Sequence, residues 1–370
     1  MLMQPQLSTS IEKILSVKNL VKIFDISGGF LDQLSIRNGK PVRTKTTVKA
    51  LNDVSFSIFP GETFSVVGES GCGKSTLGRT VLGLYPPTSG KILYRGERLD
   101  NIDPKKMLPY RAKMQMIFQD PYASLNPRMK VRQILQEPVA FHRPDKSAAE
   151  LADKVDEIME LVGVDPAWAD RFPHEFSGGQ RQRISIARAL MVDPEFIVAD
   201  EPISALDVSI QAQILNLLMD AQEKKGLTYL FITHDLSVVE HISSRVAVMY
   251  LGSLCELARA EDLFESPSHP YTKALLSAIP RLGQKGLKHI KLSGEVPTPI
   301  NLPSGCFFHG RCPHCNKRCM NERPETLHER TPRTDHPGQR DQGRLPWCAG
   351  RQNLIAEITP VAILRVCPSM

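Results

Sequence analysis

Gly68-Glu69-Ser70-Gly71-Cys72-Gly73-Lys74-Ser75-Thr76 follows the β-branched and aromatic run Thr63-Phe64-Ser65-Val66-Val67 and precedes residues 77–84, which read as a helix. The order is strand, glycine loop, helix. Glycines let such a loop turn its backbone N–H groups inward around a phosphate, and the helix N-terminus behind it adds partial positive charge at the same point. Lys74 is placed to reach the β- and γ-phosphates, and Ser75 to offer its hydroxyl to Mg²⁺. Cys72 needs no redox role, because only its backbone N–H faces the phosphate. A Gly-rich turn alone could match by accident, but the flanking strand and helix make the stretch a nucleoside triphosphate site in an α/β fold.

Residues 14–24 and 47–59 alternate apolar and polar side chains, as half-buried antiparallel strands do. Between them, residues 25–45 are rich in Gly, Ser and basic residues and read as a long surface loop. Phe24 either belongs to the core or stacks on an adenine ring. Downstream, Pro86-Pro87-Thr88-Ser89-Gly90 breaks the helix, a strand pair is expected around residues 91–98, and Met114-Gln115-Met116-Ile117-Phe118 reads as a buried strand. Gln119 then stands at a strand end, where its side chain can meet Mg²⁺ or position an attacking water. Residues 131–163 shift to helix formers, with Leu151, Val155, Ile158, Met159 and Val162 at helical spacing, so a helical insert is expected inside the α/β domain.

A second phosphate-binding device follows. Ser177-Gly178-Gly179-Gln180 opens a helix over residues 181–191, where backbone N–H groups are exposed. It lies too far along the chain to serve the first loop's nucleotide by sequence neighbourhood. Phe196-Ile197-Val198-Ala199 is an apolar strand ending in Asp200-Glu201. Asp200 suits a hold on Mg²⁺ and Glu201 suits polarising the attacking water, although two such acids can also cap the next helix. Asp207 either caps the helix at 208–225 or serves the turn Ser204-Ala205-Leu206-Asp207. Residues 228–233 are another strand, ending at His234, which could bond a γ-phosphate. Residues 246–250 read as the last core strand, and Ser266-Pro267-Ser268-His269-Pro270 as a boundary.

Composition bounds what surrounds this core. A chain of 370 residues can hold two or three domains, and 41% hydrophobic with 23% charged residues is ordinary for a soluble protein. No apolar run approaches the ~18 residues of a membrane span, and residues 1–10 lack the order of a signal peptide, so a cytoplasmic protein is expected. The net charge of +6 resides in one place: residues 281–350 hold 12 Lys/Arg against 6 Asp/Glu, leaving 34 against 34 elsewhere. Five of the eight cysteines, Cys306, Cys312, Cys315, Cys319 and Cys348, lie there too, and in a reducing compartment that points to metal. The segment is short of apolar residues, so a metal staple is one source of its order. Zinc and iron–sulfur are both open on spacing alone, as is a loose basic tail with reduced thiols.

The glycine loop, Gln119, Ser177 to Gln180, Asp200-Glu201, Asp207 and His234 occur in the order seen in one family. The chain resembles the ATPase subunit of an ATP-binding-cassette transporter. Residues 69–79, 118–128 and 173–180 are most similar to the F-type ATPase subunit of bacterial oligopeptide and dipeptide importers, over roughly residues 14–348. The implied architecture is an α/β cassette at 14–265, of mixed core sheet, antiparallel β subdomain and helical subdomain at about 125–175. A small cysteine-containing domain at 266–350 and a tail at 351–370 follow. The resemblance implies ATP hydrolysis with Mg²⁺ held by Ser75, Gln119 and Asp200, and catalysis by Glu201, His234 and Gln119. It also implies two cassettes clamping ATP head to tail, so that Ser177 to Gln180 serve the partner's ATP. The implied partners are a D-type sister ATPase, two membrane permeases and an extracytoplasmic binding protein, with no nucleic acid, at the cytoplasmic face of the inner membrane. Cys306, Cys312, Cys319 and Cys348 fall where that family carries the ligands of a [4Fe–4S] cluster, which leaves Cys315 as a spare thiol or a competing ligand. The competing classes are a soluble cassette ATPase acting on nucleic acid or the ribosome, which usually carries a coiled coil or a second cassette, and an importer of nickel or another solute.

Overall fold

The computed structural model describes residues 12–27, 45–204, 206–279 and 290–324, and the backbone of the short strands at 34–37, 40–43, 326–329 and 361–364. In chain order the strands are β1 (Leu15–Asp25), β2 (Leu34–Arg37), β3 (Lys40–Arg43), β4 (Thr47–Ile58), β5 (Thr63–Val67), β6 (Ser89–Tyr94), β7 (Glu97–Arg98), β8 (Met114–Ile117), β9 (Phe196–Asp200), β10 (Thr228–Ile232), β11 (Arg245–Tyr250), β12 (Ser253–Arg259), β13 (Thr326–Glu329) and β14 (Val361–Leu364). The helices are α1 (Lys74–Val81), α2 (Pro104–Lys113), α3 (Pro121–Ser124), α4 (Val131–His142), α5 (Ala148–Leu161), α6 (Gly178–Leu190), α7 (Val208–Lys225), α8 (Leu236–Ile242), α9 (Ala260–Glu265), α10 (Pro270–Ser277) and α11 (Lys317–Asn321).

Two sheets form the body. The alternating strands β1 and β4 pair antiparallel in a sheet of order β4-β1-β6-β7. The second has the order β13-β14-β12-β11-β5-β10-β9-β8, and its β11, β5, β10, β9 and β8 run parallel. Every residue of β5, β9, β10 and β11 is buried, as expected of parallel strands covered on both faces. The loops that leave β5, β9 and β10 therefore emerge at one edge, at the carboxyl ends of neighbouring strands, where open α/β sheets place ligands.

A buried ion pair ties together the amino ends of β5 and β11. Arg245 donates to both oxygens of Glu62, at 2.8 Å and 3.2 Å from the same guanidinium nitrogen, with side-chain exposures of 4% and 0%. Burial pushes the Glu62 carboxyl up while Arg245 pulls it back. The guanidinium also lies 5.0 Å from the Phe59 ring and 5.1 Å from the Phe64 ring, so its apolar faces are covered. Losing one partner of such a pair costs about 3–5 kcal/mol, because the remaining charge stays buried.

The helical insert is present as α4 and α5, packed with α6 in a core that includes Val131, Leu135, Val155, Ile158 and Ile184. Four features differ from the sequence expectation. Helix α1 starts at Lys74 rather than 77 and α6 at Gly178 rather than 181, since Lys74 to Thr76 at the end of the glycine loop and Gly178 to Gln180 form the first turns of their helices. The stretch 25–45 is not wholly loop: β2 and β3 pair as a hairpin, for which the Asn38-Gly39 dipeptide is the sequence signal. Nor is 246–250 the last core strand. Strand β12 pairs antiparallel with β11 and carries Glu256 at 2% exposure, a buried acid that hides the strand from hydropathy. Its carboxylate accepts the Ser268 and His269 backbone N–H groups at 2.8 Å and 3.0 Å, which ties residues 268–269 back to the sheet.

Candidate nucleotide site

Glycine is required in the 68–76 loop for steric reasons at two points. Gly73 has φ 105°, and a Cβ on it would lie 2.4 Å from Ala50 O; Gly68 has φ 152°, and a Cβ there would lie 2.1 Å from Met249 O. No side chain fits either place. Lys74 is buried and donates from Nζ to Gly68 O at 2.8 Å and to Glu69 O at 3.1 Å, so the ammonium is held over its own loop. The Cys72 side chain is buried, and burial pushes its thiol up from the ordinary value.

Beside the loop, Ser75 Oγ donates to Asp200 Oδ1 at 2.8 Å. The other carboxylate oxygen, Oδ2, is buried with no hydrogen-bond partner among the described residues, and the nearest cation, Arg79, is 3.9 Å away. Burial pushes the Asp200 carboxyl up, against the pull of Ser75 and Arg79. A buried, under-satisfied carboxylate next to a serine hydroxyl is an oxygen donor set of the kind Mg²⁺ takes. Glu201, the next residue, has φ 46°, in the left-handed region that bulky residues avoid. That turn brings its carboxylate to Gln119 and His234: Gln119 Nε2 donates to Oε2 at 2.9 Å, and His234 Nδ1 lies 3.3 Å from Oε1. Three residues expected from separate strand ends are thus one cluster.

These groups line one cavity of about 630 Å³, with Ser70, Lys74, Ser75, Gln119, Glu201 and His234 on its wall. Phe24 is there too, half-buried at the rim rather than in the core. Its ring meets Tyr85 edge-on at 5.4 Å, with the Lys22 ammonium 4.7 Å away. Sequence reasoning missed Val48 and Pro299 on the same wall; Pro299 comes from beyond the expected boundary, and its carbonyl accepts Lys49 N–H at 3.1 Å.

Ser177, Gly178, Gly179 and Gln180 do not line that cavity. Ser177 is exposed and caps α6 reciprocally with Gln180: Ser177 Oγ accepts Gln180 N–H at 3.3 Å, and Gln180 Oε1 accepts Ser177 N–H at 2.9 Å. A Cβ on Gly179 would lie 2.7 Å from Ile210 Cγ2, so the helix start packs closely on α7. Asp207 holds the N-cap position of α7, yet its side chain makes no capping hydrogen bond and is exposed.

Of the cysteine series, Cys306, Cys312, Cys315 and Cys319 are described; Cys348 lies outside the described residues. Cys306 N–H donates to Cys319 O at 2.8 Å, which joins the two ends of this segment. Burial pushes the Cys306 thiol up, and the nearness of Cys312, Cys319 and Cys315 acts in the same direction. Among the described residues no three His, Cys, Asp or Glu side chains are gathered to hold a metal ion.

Strand order, glycine loop and the Gln–Glu–His cluster define a nucleotide-binding cassette of the phosphate-loop class. Solved cassettes agree: a dimeric post-hydrolysis state of the ATP-binding cassette MJ0796 bound to ADP and Pi superposes with a TM-score of 0.58 at 27% identity, over 66% of this chain and 98% of that one. Residues 51–204 match the family model described as ABC transporter, and residues 255–319 the one described as oligopeptide/dipeptide transporter, C-terminal region. The oligopeptide transport ATP-binding protein AppF of Bacillus subtilis (strain 168) is 50% identical over 85% of this chain and 93% of its own length. The dipeptide transport ATP-binding protein DppF of Haemophilus influenzae is 54% identical over 81% of this chain and 89% of its own. The putative oligopeptide transport ATP-binding protein YkfD of Bacillus subtilis is 56% identical over 76% and 86%. The chain belongs to the family of ATP-binding proteins of oligopeptide and dipeptide ABC transporters.

Proposed function

We propose that this chain is the ATP-hydrolysing subunit of an ABC importer that takes up di- or oligopeptides. The observation that carries the reading is the single cavity on which the glycine loop, Ser75, Gln119, Glu201 and His234 converge, in a chain whose C-terminal region matches the oligopeptide/dipeptide family. The loop N–H groups and Lys74 bind the phosphates; Ser75, Asp200 and Gln119 hold Mg²⁺, which neutralises phosphate charge when bound. Glu201 polarises the attacking water, and His234 and Gln119 orient it and the γ-phosphate. Phe24 at the rim stacks on the base. Ser177 to Gln180 and Asp207 serve a second, D-type cassette. The cassette spans 14–265 and the cysteine-bearing part 266–350, docked peripherally on two permeases at the inner membrane and supplied by an extracytoplasmic binding protein. No helix among the described residues is long and apolar enough to cross a membrane. Proteoliposomes holding this chain, its sister cassette and the permeases, with ATP on the cassette side, are expected to accumulate peptide when the binding protein is added. Recovery of the chain from detergent extracts with ribosomes or nucleic acid instead of permeases would refute the reading.

The cysteines are the finer part of this proposal: Cys306, Cys312, Cys319 and Cys348 as ligands of a structural [4Fe–4S] cluster. Four thiolates suit that group. The support is the number and kind of donors in this segment, joined by the Cys306 N–H to Cys319 O bond; the described thiols are not gathered, so binding would require their side chains to move together. Anaerobically purified protein is expected to be brown with about four irons per chain. Cys312→Ser should abolish the colour and Cys315→Ser should keep it, whereas one zinc per chain, or no metal, contradicts the assignment.

A further inference from the structure

The C-terminal segment reaches the phosphate loop through Glu69, the second residue of that loop. Arg311 donates to both Glu69 carboxylate oxygens, at 2.6 Å and 3.0 Å, across 242 residues of sequence. The Arg311 side chain is 9% exposed and that of Glu69 29%, so the fork is partly shielded from solvent. The backbone of the same residue is held as well: Glu69 N–H donates to Tyr271 Oη at 2.9 Å, and Glu69 O accepts from Lys74 Nζ. Tyr271 is fully buried, and its ring meets Tyr250 at 4.9 Å and Phe308 at 5.5 Å. Phe308 immediately precedes the 3₁₀ turn His309–Arg311, so the turn that presents Arg311 is anchored in that aromatic core. Cys312 follows Arg311 directly. Pro299 of the same segment lines the nucleotide cavity and bonds Lys49, a second and separate contact.

We propose that Arg311 is a positioning residue for nucleotide binding, holding Glu69 so that the loop N–H groups and Lys74 keep the phosphate-binding arrangement. The C-terminal cysteine segment is thereby a structural part of the ATP site. The inference rests on the reading of residues 68–76 as that site. Without the fork, Glu69 would keep its backbone contacts but lose its charge partner, and the loop would sample conformations that bind ATP less well. The loss belongs to binding, since Arg311 touches neither Glu201 nor the attacking water's position.

The test uses the full chain and ATP with Mg²⁺. Arg311→Ala is expected to raise the Kd and KM for ATP about tenfold, with kcat in the assembled complex within about twofold. Arg311→Lys, which keeps charge but loses the fork, should fall between the two. Glu69→Gln should give a similar shift, and the double variant Arg311→Ala with Glu69→Gln should be no worse than either single one. Equal ATP affinity of Arg311→Ala and wild type would overturn the proposal, as would additive losses in the double variant. A fall in kcat with KM unchanged would overturn it too, by placing the effect elsewhere than in binding. Failure of the wild-type chain itself to bind ATP would instead remove the underlying site, and the positioning role with it, so the two failures are distinct.

Discussion

Replacing Glu201 by Gln is expected to leave ATP binding intact and to slow hydrolysis by about 10²–10⁴-fold. The amide keeps the size of the side chain and the ability to accept from Gln119, which donates to Glu201 at 2.9 Å, but it cannot take a proton from water. Backbone strain makes the substitution specific. Glu201 sits at φ 46°, a conformation that costs on the order of 1–3 kcal/mol in a non-glycine residue, and it is held there by its N–H donating to Ile232 O at 2.9 Å. That contact involves only backbone, so the variant keeps the turn that aims residue 201 at the cavity. Single-turnover hydrolysis in the assembled transporter separates the steps: nucleotide affinity near wild type with a slow chemical phase is the expected pattern. A variant that turned over ATP at the normal rate would take Glu201 out of the reaction.

The parts of this site that sequence revealed are those tied to strand ends. Gln119, Glu201 and His234 each follow a short apolar run, and parallel pairing of β8, β9 and β10 is what brings the three together. Their convergence on one carboxylate was not legible, because the strand order is a property of the whole sheet. Phe24 is ambiguous in sequence between core and cavity, since alternation along β1 assigns a face but not what lies beyond the strand's last pair. The C-terminal contacts were hidden for a different reason. Tyr271, Pro299 and Arg311 carry no local pattern, and their partners lie about two hundred residues away. A segment poor in apolar residues reads as weakly ordered, yet Phe308 is 2% exposed, and Leu292, Leu302 and Phe307 pack against the same core. Strand β12 escaped because its buried acid, Glu256, is satisfied by backbone N–H groups rather than by a visible basic partner.

Ser177→Arg is expected to reduce hydrolysis at the partner cassette's site by about 10²-fold while the variant chain's own loop binds ATP as before. The asymmetry follows from geometry. Residues 177–180 open α6 on an exposed face and do not line the cavity that holds Lys74 and Glu201 in the same chain. A helix N-terminus with free N–H groups attracts phosphate, and an arginine there brings bulk where close backbone approach is needed. Part of the change is local: the Ser177–Gln180 capping box is lost, which costs about 0.5–2 kcal/mol of helix stability. Ser177→Ala loses the cap without the bulk, so it measures that share alone and should retain most of the partner's turnover. Two measurements decide the matter. The first is ATP affinity of the variant chain alone, which the shared-site arrangement leaves unchanged. The second is hydrolysis after mixing with a sister cassette whose own Glu is intact, where the variant should act as a poison of its partner. If the isolated wild-type chain hydrolysed ATP at the full rate of the complex, or if Ser177→Arg abolished binding to its own loop, each cassette would be working within one chain.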